Sequence, residues 1–551
     1  MRGNRILLIA IIIATTTYFS CGQRLSPVLV AESGFITIEP VNYSLIMNGQ
    51  MQSLVSDEAR IWYAFRPADS DPDNKPLAVF FNGGPGCSTG LLLGFNTGTM
   101  SVDKNLIGDS LVGDSPSHWT TFANLLYIDA RNTGFSYGIK SGHEPFDVRN
   151  FNTVFDAGDF IRVILRFLAS HEGIKRNPVI IVGESYGGTR SPIMLNLLHH
   201  YSRYAGSSPI YKDEALAAEI QKHLDALYPD KAGTVISPEL VSKQFGHQVL
   251  IQPFTFGVRQ ADKIGELLEK PGSPVYAIAQ ETGQTFVPCS EQQVKCDTWN
   301  NALNFIRGKA KREAYKYNEA VDWINKISDW YIVVLLSIKN HTLLTSFDPR
   351  NIALMYSTER TNAYKIKSGA GDSDLHHGDI LPGKIMLKKH CKKSVQLGAL
   401  IGAEDEFISA FGALGSEDRY FVDCNDPIYD IYGNRTDETA VFGPGTVIGK
   451  MFLEDLLYAN TFITNTAYDL VCYAPAIQLA IGTYEEVASV TSANESINLT
   501  IKDGAFGQAG ERSVTIPFPT YSNSGHPVEA NEPVKFMKDV KSWLGINYSG
   551  S

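Results

Sequence analysis

Nothing in this chain of 551 residues concentrates positive charge. Lys and Arg number 48 against 59 Asp and Glu, a net charge of −11, and no run of Lys or Arg is longer than pairs such as Lys388-Lys389 and Lys392-Lys393. Phosphate contacts need clustered cations, so nucleic acid is excluded as the main partner. Charged residues are few, at 19%, but 44% hydrophobic residues is ordinary globular content and far too high for a disordered chain. No repeat or low-complexity tract is present, and the composition excludes collagen, coiled coils and multi-span membrane proteins. Cysteine is sparse, with no C-x-x-C pair. Cys289 and Cys296 are close enough to bridge within one loop, and no histidine stands near them, which argues against zinc. The Asp372–Asp379 segment, with His376 and His377, reads as a solvated loop; no metal site and no cofactor are expected.

What is present begins with an export signal. Arg2 and Arg5 precede an apolar run from Ile6 to about Phe19, of signal-peptide length and short of the roughly 20 residues that span a bilayer. Ser20-Cys21-Gly22 follows. A small residue before cysteine at that place resembles a bacterial lipoprotein cleavage site, so Cys21 is a lipidation candidate and the one expected route to a membrane. Export, whether to a periplasm, a cell surface or the medium, makes disulfides among the other six cysteines plausible.

Further along, hydrophobic periodicity predicts alternating strands and helices. Leu77–Phe81, Asn124–Asp129 and Pro178–Val182 read as buried strands, and Phe160, Ile164, Phe167 and Leu168 share one face of a helix from Thr153 to about Ser170. A helix containing Pro192 to His200 follows, with His199-His200 expected as a surface pair. This alternation predicts an α/β protein with a mostly parallel sheet covered on both faces. Residues 201–246 read as a polar helical insertion, and strand character resumes at Val249–Ile251, Thr461–Ile463 and Val514–Ile516.

The chemistry concentrates in Gly183-Glu184-Ser185-Tyr186-Gly187, a G-x-S-x-G turn between a strand and a helix. Glycines two residues either side of the serine are required because side chains there would collide with the neighbouring strand and helix. A serine nucleophile needs a base and a group to orient it. In this architecture the order is serine, acid, histidine. Asp469 follows the Thr461–Ile463 strand, and His526 is the only histidine after His390. Two backbone N–H groups must face the developing oxyanion: one at Tyr186, the other in the turn Asn82-Gly83-Gly84-Pro85-Gly86.

Together, Asn82-Gly-Gly-Pro-Gly-Cys87, Asn124–Asp129 with Thr133-Gly-Phe-Ser-Tyr137, Gly183–Gly187, Tyr468-Asp469-Leu-Val-Cys472 and Gly525-His526 closely resemble the serine carboxypeptidase family. The resemblance implies an α/β-hydrolase fold with a large inserted helix-rich cap. With the export signal and the helix-rich stretch between the strand runs, the chain is expected to divide into a signal peptide (1–20), a first part of the hydrolase core (21–257), a cap (258–438) and a second part of the core (439–551). The resemblance implies Ser185 as nucleophile, His526 as general base then acid, Asp469 as its orienting carboxylate, and Gly84 and Tyr186 as oxyanion donors. Asn82, Gly83 and Glu184 would bind the free C-terminal carboxylate of a peptide or protein substrate, with Glu184 protonated so that it can donate.

Departures from the family pattern accompany these matches. Asn96 stands where the family usually has a second glutamate, which predicts a less strictly acid pH optimum. Pro527 stands where methionine is common, and the turn at Arg131-Asn132-Thr133 is one residue shorter. The resemblance further implies a Cys87–Cys424 disulfide, a Cys289–Cys296 bridge in the cap, and Cys472 as a thiol near the site. Two other functions fit the same residues: an esterase or acyltransferase on this scaffold, and a non-catalytic surface binding protein.

Overall fold

The computed structural model describes residues 31–47, 50–83, 85–86, 89, 92–93, 96–102, 112–133, 136–139, 152–206, 208, 210–257, 259–260, 263, 267, 446–466, 472–522, 524 and 528–548. The export signal, Cys21, Gly84, Cys87, Cys289, Cys296, Cys424, Asp469, His526 and Pro527 lie outside the described residues, as does nearly all of the expected cap.

Eight strands form one mixed sheet. They are β1 (Glu32–Ile38), β2 (Glu58–Arg66), β3 (Leu77–Phe81), β4 (Asn124–Ile128), β5 (Tyr137–Ile139), β6 (Val179–Glu184), β7 (His247–Ile251) and β8 (Asn460–Ile463). The order is β1-β2-β4-β3-β6-β7-β8, with β5 also on β2. From β4 to β8 every neighbour is parallel, while β1, β2 and β5 form an antiparallel flank. The central strands are apolar on both faces, as parallel strands covered by helices must be. Leu77, Val79 and Phe81 of β3 enter one core and Ala78 and Phe80 the other. Ile181 of β6 divides from Ile180 and Val182 in the same way, the two-residue period of a strand.

Helices α1 (Thr153–Ser170), α2 (Gly187–His199) and α3 (Glu214–Leu227) cover the first face. The Asn152 side chain caps α1 by accepting from the Phe155 amide at 2.8 Å, and Asp213 caps α3 through the Leu216 amide at 2.9 Å. Helix α4 (Thr446–Asp455) packs along α2, and α5 (Pro533–Tyr548) lays Phe536, Val540 and Trp543 on the opposite face. Pro192 lies inside α2, where it cannot donate to the carbonyl four residues earlier. That carbonyl, of Gly188, instead accepts the Thr255 hydroxyl at 2.9 Å. Among the described residues no helix is long and apolar enough to cross a membrane.

Several elements differ from the sequence expectation. The stretch before Leu77 holds two strands of the main sheet and a separate hairpin, Asn42–Met47 with Gln50–Val55. Val514–Ile516 belongs to a three-stranded antiparallel meander, Val487–Ala493, Ser496–Ile501 and Arg512–Pro517, outside the main sheet. Tyr201, Tyr204, Tyr211, Leu216, Ile220 and Leu224, all from the segment read as a polar insertion, are buried in the core beneath α1.

His199, expected at the surface, is buried, and His200 is mostly so. The end of α2 faces α4, where His199 Nε2 donates to the Phe245 carbonyl at 2.9 Å and Nδ1 lies 3.6 Å from Asp455 Oδ1. Arg203 forks onto Glu454 at 2.9 and 3.1 Å, and Asn196 Nδ2 donates to Glu454 at 2.9 Å and Asp455 at 3.3 Å. Burial pushes the His199 imidazole down to about 4. Burial, reinforced by the Glu454 charge, holds the Asp455 carboxyl well above the usual carboxylate range. The contact is therefore one between two neutral groups.

The signs follow from which state binds more protons. Below pH 6.5 the unfolded chain protonates His199 and the folded chain does not until about 4, so this histidine removes stability as pH falls through that window. Asp455 acts oppositely, keeping its proton in the folded state as pH rises above the ordinary carboxylate range. His199→Asn should flatten the acid limb of the stability curve by up to about 1 kcal/mol per pH unit between pH 6 and 4.5 in urea titrations. Asp455→Asn should steepen that limb.

Candidate active site

The carboxyl ends of β3, β6 and β7 lie side by side. Phe81 is opposite Gly183, and Glu184 is opposite Ile251. After β3 the chain crosses to β4 on one side, whereas after β6 it crosses to β7 on the other. The gap between β3 and β6 is thus the point where connections diverge, the usual place for a ligand site in an open α/β sheet. The residues that follow these two strands are Asn82-Gly83 and Ser185.

Ser185 has φ +57°, in the left-handed region that costs an L-residue about 1–2 kcal/mol. Both its backbone groups are tied. Its N–H donates to the Ile251 carbonyl at 2.9 Å, and its carbonyl accepts from Gly188 at 2.8 Å and Phe254 at 3.0 Å. The turn has room only for glycine at 183 and 188, whereas a Cβ on Gly187, expected to be equally barred, would come no nearer than 3.3 Å to Phe81. A Cβ on Gly183 would lie 2.6 Å from the Gly187 carbonyl oxygen, and one on Gly188 would lie 2.7 Å from Pro253 Cα. The chain reverses from strand to helix within two residues, with Ser185 at its apex.

The turn after β3 presses directly on this elbow. A Cβ on Gly83 would lie 2.6 Å from the Tyr186 backbone nitrogen and 2.7 Å from both the Glu184 carbonyl and Ser185 Cβ. Tyr186 N–H and the Gly83 backbone therefore border one small space. Asn82 is buried, and its Oδ1 accepts the Gly83 N–H at 2.7 Å. Glu184 is fully buried at the end of β6. Asn96 has φ +59°; its amide donates to the Glu529 carbonyl at 3.2 Å, and its backbone carbonyl accepts the Ser117 hydroxyl at 3.2 Å. Asn96 is thereby fastened to the segment just beyond His526.

Cys472 comes within 3.9 Å of the Ser185 hydroxyl through its thiol and is buried. It lies three residues beyond Asp469. The strand Asn465–Thr466 pairs in parallel with Thr520–Tyr521, aligning the two segments from which the chain continues to Asp469 and to His526.

One pair in this region carried no sequence signal. Arg190 of α2 is buried, and its Nε donates to Asp156 Oδ2 at 2.7 Å while Nη1 donates to the Asn82 carbonyl at 2.8 Å. Burial pushes the Asp156 carboxyl above its usual range, against the pull of the Arg190 guanidinium. An arginine in a helix reads as surface unless its neighbours are all apolar, and Arg190 is followed by serine and proline.

Residues 46–210 match the family model described as serine carboxypeptidase. Among curated proteins, a 151-residue stretch is 27% identical to serine carboxypeptidase S10 family member 1 of Dictyostelium discoideum, covering 27% of this chain and 34% of that one. A stretch of equal length is 32% identical to carboxypeptidase Y homolog A of Botryotinia fuckeliana, covering 27% of this chain and 25% of the relative. The chain thus spans a quarter to a third of these relatives' length. A crystal structure of a prohormone-processing carboxypeptidase from Saccharomyces cerevisiae superposes at TM-score 0.50 with 13% identity, over 95% of both chains. That likeness establishes the fold, an α/β-hydrolase.

Gly83→Ala places a methyl group against backbone atoms that cannot yield. It should lower the rate at which a fluorophosphonate labels Ser185 by about 100-fold or more, measured by mass spectrometry. Gly545→Ala is the control, because a Cβ there meets nothing within 4 Å, and its labelling rate should be that of the wild type.

Proposed function

We propose, from the match of residues 46–210 to the serine carboxypeptidase family model, that this chain is a member of that family and an exported serine-type carboxypeptidase. It removes residues from the free C-terminus of peptides or proteins through an acyl-enzyme on Ser185. The observation that carries this reading is the elbow itself. A serine at φ +57° with Gly83 packed against its Cβ and the amide of Tyr186 is costly backbone whose use is to present a hydroxyl beside N–H donors.

In this reading the Ser185 hydroxyl attacks the last peptide carbonyl while His526 accepts its proton. Asp469 fixes the tautomer of His526 and offsets the charge that forms on the ring. Negative charge on the carbonyl oxygen is met by the amides of Tyr186 and Gly84. Collapse expels the C-terminal residue as an amine that takes the proton from His526, and water then repeats the sequence on the acyl-enzyme. The position of Cys472 beside Ser185, three residues from Asp469, is consistent with the acid approaching this site. Asn82, Gly83, Glu184 and Asn96 hold the terminal carboxylate, with Glu184 in its protonated form as donor. Loss of that proton on raising the pH weakens binding of free acids and leaves neutral substrates unaffected.

The signal at 1–20 would export the chain, and Cys21 is the candidate for lipid attachment. Cys87–Cys424 and Cys289–Cys296 are the disulfides proposed for the exported protein.

The test is product analysis on one N-blocked peptide with free or amidated C-terminus, from pH 4 to 8. The free acid should lose residues stepwise, with activity declining toward pH 8 but less steeply than a two-glutamate site would give. Ser185→Ala should lower turnover by roughly 10⁴-fold or more. Hydrolysis of small esters with neither peptide cleaved would replace this reading with an esterase or acyltransferase.

A further inference from the structure

Arg190 connects three elements around the candidate nucleophile. It lies in the first turn of α2, five residues after Ser185, and its side chain is 1% exposed. Asp156 of α1 receives its Nε, and the chain leaving β3 receives its Nη1 through the Asn82 carbonyl. The guanidinium also lies 4.4 Å from the Phe160 ring centre, 5.1 Å from Tyr186 and 5.2 Å from Phe81. These rings leave the planar group little freedom to rotate.

The carbonyl that Arg190 holds belongs to the same peptide unit as the Gly83 N–H. A peptide is planar, so fixing its oxygen fixes the direction of its N–H. The Asn82 side chain holds the other end at 2.7 Å. A charged donor on the oxygen also polarises the unit and strengthens the bond its N–H makes to Asn82 Oδ1, so that the peptide and the Asn82 side chain are held as one piece. Without the guanidinium, the turn would keep its glycine contact with the elbow but could rotate this peptide.

We propose that Arg190, held by Asp156, is a positioning residue that orients and polarises the Asn82–Gly83 peptide, and through it the anion-binding turn that faces Ser185. This rests on the carboxypeptidase reading only for the identity of the anion, a terminal carboxylate and a developing oxyanion. Any acyl transfer at Ser185 would use the same turn.

Three variants test it: Arg190→Met, Arg190→Lys and Asp156→Asn. Each is examined for the number of Ser185 sites a fluorophosphonate can titrate, the second-order labelling rate per titratable site, and kcat and KM on free-acid peptides. Arg190→Met should lower the labelling rate by about 10- to 100-fold per site, with kcat falling and KM rising. Arg190→Lys, which keeps a charged donor, should recover part of the loss. Asp156→Asn, which loosens the guanidinium without removing it, should lose several-fold. A purely structural role would reduce the number of titratable sites and the unfolding temperature while leaving the rate per site unchanged, and that result overturns the proposal. Should Arg190→Met yield no folded protein, wild-type rates per site in both Arg190→Lys and Asp156→Asn overturn it equally. A wild-type protein that is labelled but cleaves no free-acid peptide would defeat the carboxypeptidase reading and leave the comparison of labelling rates intact.

Discussion

Ser185 occupies backbone that an L-residue adopts only at a cost of about 1–2 kcal/mol, and the chain around it is arranged to hold it there. Its amide is bound by the last residue of β7, its carbonyl by the start of α2 and by Phe254. The glycines at 183 and 188 let the strand, the helix and the Pro253 segment approach to distances a methyl group forbids. Because β3, β6 and β7 are parallel and in register, their ends arrive together, and the Gly83 turn meets the elbow without a separate device to bring it. Strain in one residue is thus distributed over contacts with four segments.

Behind that turn, helix α2 is braced at both ends by buried polar groups rather than by apolar packing alone. Near its start Arg190 reaches α1 and the β3 turn. At its far end Asn196, His199 and His200 face Glu454 and Asp455 of α4. The two contacts differ in kind. The first pairs a guanidinium with a carboxylate; the second sets a neutral imidazole beside a carboxyl that burial keeps protonated. Directional bonds of this sort specify one rotation and one axial position of the helix, which apolar side chains would leave looser.

The legible parts of the sequence were those where one physical demand dominates. Fully apolar runs such as Leu77–Phe81 and Val179–Val182 leave little choice but a strand covered on both faces, and the 3.6-residue period of 153–170 yields α1 with its ends in place. The glycine spacing around Ser185 has a steric cause and therefore marked the elbow. Strands β1 and β2 were not legible because β1, at the edge, is only half-buried and both carry charged or polar residues, Glu32 and Thr37 in one and Glu58, Arg60 and Arg66 in the other, among their apolar ones. The meander failed similarly, its first strand being mostly exposed. Arg190, Asp156 and His199 were invisible for another reason. A charged residue in a helix is ordinarily solvated, and only the tertiary partner reveals that it is buried.

Strands β7 and β8 are hydrogen-bonded neighbours, His247 opposite Asn460 and Leu250 opposite Ile463, although more than two hundred residues separate them along the chain. Because the strands are parallel, the intervening stretch leaves β7 at Ile251, its carboxyl end, and re-enters β8 at Asn460, level with His247 at the opposite end, so the sheet fixes both attachment points. The entropy of closing such an excursion grows only with the logarithm of its length, about 0.6 kcal/mol for each doubling. The sheet and the elbow are therefore nearly indifferent to how long the excursion is. Insertions or deletions within that stretch can accumulate without retuning the contacts that hold Ser185 in place.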